Sequence, residues 1–202
     1  MARDSVQHKL EELRREQILA AAIKVFSEKG FRVAKMQEVA DAAGVSNGTV
    51  YNYFPSKDEL LLALLSQLSE QEQRRERMAE LESGNLEEIF VQQFRRRFRA
   101  LLEQKALWRV VLPELITNPE LRQQGYERIF GPIFEIGEAA FGLPQSGKLG
   151  DLRASHMLRA MAGSVLGVFV LTLLDDQKTE QEADEILATL GRMFAAALVG
   201  GK

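Results

Sequence analysis

The 202-residue sequence contains no cysteine. That removes thiolate nucleophiles, disulfide frameworks, CxxC redox pairs and cysteine-based zinc sites. Histidine is almost as scarce, and neither His8 nor His156 has a companion ligand at metal spacing, so no metal site is expected. Five prolines and fifteen glycines are too few for a collagen-like or low-complexity chain. No apolar run is long enough for a membrane span: Ala160 to Leu174 covers fifteen residues and includes Gly163, Ser164 and Gly167, against the roughly 20 that a span needs. It reads as a buried helix. The N-terminal residues lack an apolar core and a small-residue cleavage site, so they do not read as a signal peptide and a cytoplasmic location is expected. GxGxxG, GxxxxGK[ST] and HExxH are all missing; no cofactor and no catalytic residue is expected.

What is present is a globular composition, 46% hydrophobic and 27% charged. The net charge of -3 does not point to a nucleic-acid partner. Residues 1–60 carry nine basic and nine acidic side chains, so the acidity belongs to the remainder. Any anion-binding surface must be local.

Helical periodicity runs through nearly the whole chain, and no alternating strand pattern of useful length occurs. Ile18, Ala22, Val25 and Phe26 share a face of a first helix over about 10–29, closed by Gly30. Met36 to Ala43 forms a short second helix that Gly44 stops. Ser46 caps a third, running to about Tyr53. Phe54-Pro55-Ser56 breaks the chain, and Ser56 caps a long helix from Lys57, with Glu59 placed for a capping box. Further helices are expected at 86–103, 105–117, 119–141, 151–175 and 179–199. The architecture is all-α.

The informative stretch is 30–57. Two short helices joined by Gly44-Val45-Ser46 make a helix-turn-helix, with glycine where the turn needs a positive φ. The second helix presents Asn47, Gly48, Thr49, Tyr51, Asn52 and Tyr53. Asparagine can pair bidentately with adenine in the major groove, and threonine offers a hydroxyl or a methyl. Glycine admits close approach of the helix N-terminus. Tyrosine hydroxyls and the flanking Lys35 and Lys57 can reach phosphates. A core helical hairpin would show the same two short amphipathic helices.

RREQILAAAIKVFSEKGF (14–31) followed by AKMQEVADAAGVSNGTVYNYFPSKDELLLAL (34–64) closely resembles the N-terminal DNA-binding domain of TetR-type transcriptional regulators. Ile18, Ala22, Phe26, Gly30-Phe31, Ala43-Gly44-Val45-Ser46, Gly48-Thr49-Val50-Tyr51, Tyr53-Phe54 and Lys57 carry the likeness. Lys35 departs from it, since the family often has threonine there; a hydroxyl contact would become a lysine–phosphate contact. The resemblance implies about nine helices, a helix-turn-helix domain over 12–72 (motif about 35–54) and an effector-binding and dimerisation domain over 73–202. It also implies a homodimeric repressor that leaves a palindromic DNA operator when a small molecule binds. The expected DNA-binding set is Lys35, Ser46, Asn47, Gly48, Thr49, Tyr51, Asn52, Tyr53 and Lys57.

A dimer follows independently, because a single recognition helix makes too few contacts for a selective site. The expected dimer surface is 151–175 with 179–199. There Gly163, Gly167 and Ala195-Ala196-Ala197 would let backbones approach, although a core helix would share this composition. An effector pocket is expected from Phe94, Phe98, Trp108, Arg109, Leu112, Tyr126, Phe130, Phe134 and His156, with Glu114 and Arg128 as further polar anchors. Its apolar bias favours a hydrophobic or amphipathic effector, such as a fatty acyl chain or a lipophilic drug. Phe90, Phe94, Phe98 and Leu101 also fit a core stripe. Arg95-Arg96-Arg97 and Arg99 spread around their helix and read as a solvated face. An all-α enzyme acting on a hydrophobic substrate, or a helical adaptor, are the alternatives; the first lacks an assembled catalytic set, and the second leaves the polar face at 47–53 idle.

Overall fold

A computed structural model describes residues 2–78, 85–132, 134–135, 148–149 and 152–199. Among them are nine α-helices: α1 (Ala2–Lys29), α2 (Met36–Ala43), α3 (Asn47–Tyr53), α4 (Lys57–Met78), α5 (Leu86–Glu103), α6 (Lys105–Thr117), α7 (Pro119–Gly125), α8 (Ala154–Leu173) and α9 (Gln177–Val199). The chain divides into two compact units, Met1–Glu70 with Ala106–Ile129, and Gln71–Lys105 with Phe130–Lys202.

In the first unit α1 packs on α2, and α2 on α3. Ile18, Leu19, Ala22 and Phe26 of α1 are buried, as are Val39 and Ala40 of α2, Val50 of α3, and Leu60, Leu61 and Leu64 of α4. Each large apolar side chain removed from water stabilises the fold by roughly 1.5–3 kcal/mol. Helix boundaries follow side-chain caps. Ser46 Oγ accepts from Thr49 N–H at 3.0 Å, Ser56 Oγ from Glu59 N–H at 3.1 Å, and Asn118 Oδ1 from Glu120 and Leu121 N–H, with Pro119 opening α7.

The second unit is built on α5 lying along α9, with α8 packed on both. Phe90, Phe94 and Phe98 form the buried stripe of α5, and Phe94 meets Phe194 of α9 at 5.3 Å between ring centres. The two backbones touch at Gly191, where a Cβ would lie 2.7 Å from the Cα and N of Val91. Only glycine fits there. Arg95 pairs with Asp184 across the same helices. Lys148–Leu149 and Leu152–Arg153 form a two-residue antiparallel ladder.

Several boundaries differ from the sequence reading. α1 begins at Ala2 rather than near residue 10. Val6 in the added turns is exposed, as are Leu10 and Leu13 after it, so no buried face marks them. The helix expected over 119–141 is interrupted: α7 ends at Gly125, and Tyr126–Phe130 is a π-helical turn. One inserted residue rotates the following face by about 100°, which a 3.6-residue period does not reveal. α8 starts at Ala154, three residues later than expected, because 152–153 join the ladder. Phe141 and the expected loop at 142–147 lie outside the described residues.

Against the sequence expectation that no apolar run is long enough for a membrane span, α8 contains one among the described residues, Ser155–Leu173, that is so by length and composition. Met157, Met161, Val165, Phe169 and Thr172 give it a buried face. Ala160, Gly163, Gly167 and Leu171 form the opposite, exposed one.

Candidate nucleic-acid interface

Three helices fix the geometry of the helix-turn-helix. α2 ends at Gly44, whose φ of 65° and ψ of 36° place it in the left-handed region that side chains disfavour. The Val45 N–H then bonds to the Ala40 carbonyl at 3.0 Å. Gln17 of α1 donates its amide to the Ala43 carbonyl at 2.6 Å, fastening the turn to α1. On α3 only Val50 is fully buried. It anchors one side of the helix, and Gly48, Tyr51 and Asn52 are exposed on the other.

Asn47, Thr49 and Tyr53 are half-buried. Thr49 and Ser46 share a hydroxyl–hydroxyl bond of 2.8 Å, so both serve the cap of α3. Asn47 Oδ1 is buried without a hydrogen-bond partner, an acceptor that costs free energy until a donor reaches it. The Lys35 side chain is exposed just before α2. Its backbone N–H bonds to Glu38 Oε2 at 2.9 Å, while Glu38 Oε1 accepts from Lys29 Nζ at 2.6 Å. The bond from Lys29 holds the Glu38 carboxyl below the ordinary glutamate value, and Glu38 in turn raises the Lys29 ammonium.

Lys57 is placed differently from the sequence expectation. Its Nζ donates to the carbonyls of Phe31, Arg32 and Ala34 at 2.6, 3.0 and 3.0 Å. An ammonium has three protons, so in this conformation none is left for a phosphate. The residue staples the α1–α2 loop to the start of α4. Nothing in the spacing of residues 31 and 57 reveals that three carbonyls converge there. Arg32 also escaped the sequence reading; its guanidinium bonds to Glu114 and Thr117 of α6.

The residues expected around an effector divide between the two units. Trp108, Arg109, Leu112 and Tyr126 belong to the first, and Phe94, Phe98, Phe130, Phe134 and His156 to the second. Phe94 and Phe98 are buried, Tyr126 is half exposed and His156 exposed. Arg159 lies over the Phe134 ring at 5.1 Å. Glu114 and Arg128, expected as anchors, are paired with Arg32 and Glu59 instead. Arg109 and Glu114 line a cavity of about 350 Å³ in the first unit, beside Phe26, Phe31 and Pro113. Of the residues expected at a dimer surface, Gly163, Gly167, Ala196 and Ala197 are exposed. Ala195 is buried, because it shares the face of α9 that carries Ala188 and Leu187. No cluster of three or more metal-ligating side chains occurs among the described residues.

A family profile described as "Bacterial regulatory proteins, tetR family" matches residues 18–64, the span of these helices. The chain is 30% identical over 195 residues to the fatty acid metabolism regulator protein of Bacillus subtilis, covering 92% of this chain and 93% of that one. It is 52% identical over 52 residues to the HTH-type transcriptional activator FasR of Mycolicibacterium smegmatis. That match spans only about a quarter of either protein, 26% of this chain and 24% of FasR. Among solved structures, FadR of Bacillus subtilis in complex with stearoyl-CoA aligns over 93% of this chain and 98% of its own. The TM-score is 0.63 and the identity 25%.

Proposed function

The chain belongs to the TetR family of bacterial transcriptional regulators, and on that premise we propose that it is a homodimeric, cytoplasmic repressor released from a palindromic operator by a long-chain fatty acyl thioester. Reading of DNA falls to α3. Asn52 and Tyr51 are already exposed, and Asn47 reaches a base edge by turning its amide outward, where adenine N6–H supplies the donor its oxygen lacks. Lys35 contributes a phosphate contact. Lys57 serves the interface indirectly, by holding the loop that leads into α2.

The observation that carries the effector class is likeness to a fatty acid metabolism regulator along the whole chain and not only in its DNA-reading helices. The second unit suits such a ligand chemically. Its interior is aromatic and aliphatic, with Phe94 against Phe194 where α5 packs on α9. Ligand binding then favours a different packing of α5 on α9, which is how a ligand shifts an equilibrium between two states. The exposed stripe Ala160, Gly163, Gly167 and Leu171 on α8, with Met193, Ala196 and Ala197 on α9, supports the dimer surface. A Cβ at either glycine of α8 meets nothing within 4 Å inside the chain; a second backbone would give these glycines a purpose.

The test is a duplex recovered by selection from a random library, followed by titration of the complex with stearoyl-CoA. Release at micromolar ligand supports the assignment; retention of the duplex at saturating ligand excludes this effector. Repression and activation are separated by transcription from a template carrying the selected site.

A further inference from the structure

Two ion pairs tie residues 106–129 to the helix-turn-helix, one at each of its ends. Arg32 Nε lies 3.3 and 3.4 Å from the two Glu114 oxygens, and its Nη2 donates to Thr117 Oγ1 at 2.8 Å. Arg128 Nη1 donates to both oxygens of Glu59 at 3.0 and 3.1 Å. Arg32 stands four residues before α2, and Glu59 is the third residue of α4. All of α2 and α3 lies between the two gripped points.

The gripping segment has a particular place in the chain. It is entered from the second unit at Ala106 and returns to it after Ile129. A rearrangement of the second unit therefore pulls on both ends of this segment through covalent bonds. Between the last turn of α1 and α6 there is a cavity of about 350 Å³, and Glu114 stands in its wall. The Arg32 pair is also asymmetric. Glu114 is 8% exposed while the Arg32 side chain is mostly exposed. A carboxylate so buried strongly favours keeping its partner, which gives the contact a defined made state. Arg128 sits in the π-helical turn, a geometry often found where function demands an extra residue in a helix.

We propose that Arg32–Glu114 and Glu59–Arg128 are positioning pairs that transmit the state of the effector unit to the recognition helix. Release of either pair frees one end of the α2–α3 motif. The inference rests on the ligand-responsive reading above, but its first readout needs no effector. By reciprocity, DNA held by α3 must in turn tighten α6. Amide hydrogen exchange is measured with and without the selected duplex, in the wild type and in the Arg32→Met/Glu114→Gln double variant, which leaves no buried charge unpaired. Arg128→Gln is a second variant that leaves Glu114 intact.

In the wild type, the duplex is expected to slow exchange at Asn118, whose N–H bonds to the Glu114 carbonyl, by about tenfold. In both variants that slowing is lost, while protection within α3 and the melting temperature are retained. Stearoyl-CoA then weakens DNA binding by the variants far less than by the wild type, with its own affinity for DNA-free protein unchanged. Equal DNA-induced slowing at Asn118 in wild type and variants overturns the proposal. If the exchange result holds but stearoyl-CoA leaves wild-type DNA binding untouched, the effector assignment falls and the coupling stands.

Discussion

The Lys57 ammonium lies 2.6 Å from the carbonyl oxygen of Phe31 and 4.7 Å from the centre of the same residue's ring. One cation thus holds the backbone and covers the face of the side chain that packs edge-on against Phe26 at 5.2 Å. Replacing Lys57 with Met removes three charge-assisted bonds while keeping most of the stem. Thermal unfolding should begin at lower temperature. The log–log salt dependence of DNA binding should keep its slope, whereas loss of a direct phosphate contact would reduce it by about 1 per subunit. A reduced slope with an unchanged melting temperature would return Lys57 to the phosphate.

Val50 is the sole fully buried side chain of α3, so the recognition helix is held by one anchor and one cap. Val50→Ala deletes two methyl groups and leaves a cavity, for a loss of about 2 kcal/mol. Ser46→Ala removes the cap and costs about 1 kcal/mol. Urea denaturation of both variants measures these values. An unchanged midpoint for Val50→Ala would mean that α3 is held by something other than its buried face.

On α3 the exposed residues should separate by role. Asn52→Ala is expected to change which base is preferred at one operator position, with a discrimination loss of about 1–3 kcal/mol. Tyr51→Phe, which deletes only a hydroxyl, should weaken binding to all sequences alike. Binding to a panel of single-base operator variants distinguishes the two. A uniform loss for Asn52→Ala would assign that residue to the backbone instead.

Local rules made much of the fold readable. The bounds of α2 and α3 and the start of α4 follow from apolar spacing together with Gly44, Ser46 and Ser56, each of which acts within a few residues of itself, and those of α5 and α6 match their expected ranges. The same locality explains what stayed hidden. Glu59 was placed by spacing to complete a capping box with Ser56, yet its carboxylate is held by Arg128, 69 residues away. Glu114 looked like a pocket anchor because a carboxylate on an apolar helix suggests a ligand; its partner Arg32 is 82 residues distant. Neither pair has a periodicity. The candidate DNA-contacting face was legible because α3 needs only Val50 buried, which leaves its polar residues outward.

The Lys29–Glu38 bond makes a pH prediction. The Glu38 carboxyl is lowered chiefly by the hydrogen bond from Lys29 and then by the Lys35 backbone N–H. A lowered carboxylate stabilises fully above its unfolded value, and the contribution disappears as pH falls through the folded one. Carboxyl NMR titration of Glu38 should therefore show a value below ordinary glutamate, moving upward in Lys29→Met. No movement would remove Lys29 as the cause.

The most direct test of the whole account is a salt-dependent binding titration of a selected duplex against a random one. With about three or four phosphate contacts per subunit, the specific complex should show a log–log slope near -6. At moderate salt it should be about 10³-fold or more tighter than the random duplex. Equal affinity for the two duplexes at moderate salt would contradict a sequence-reading regulator.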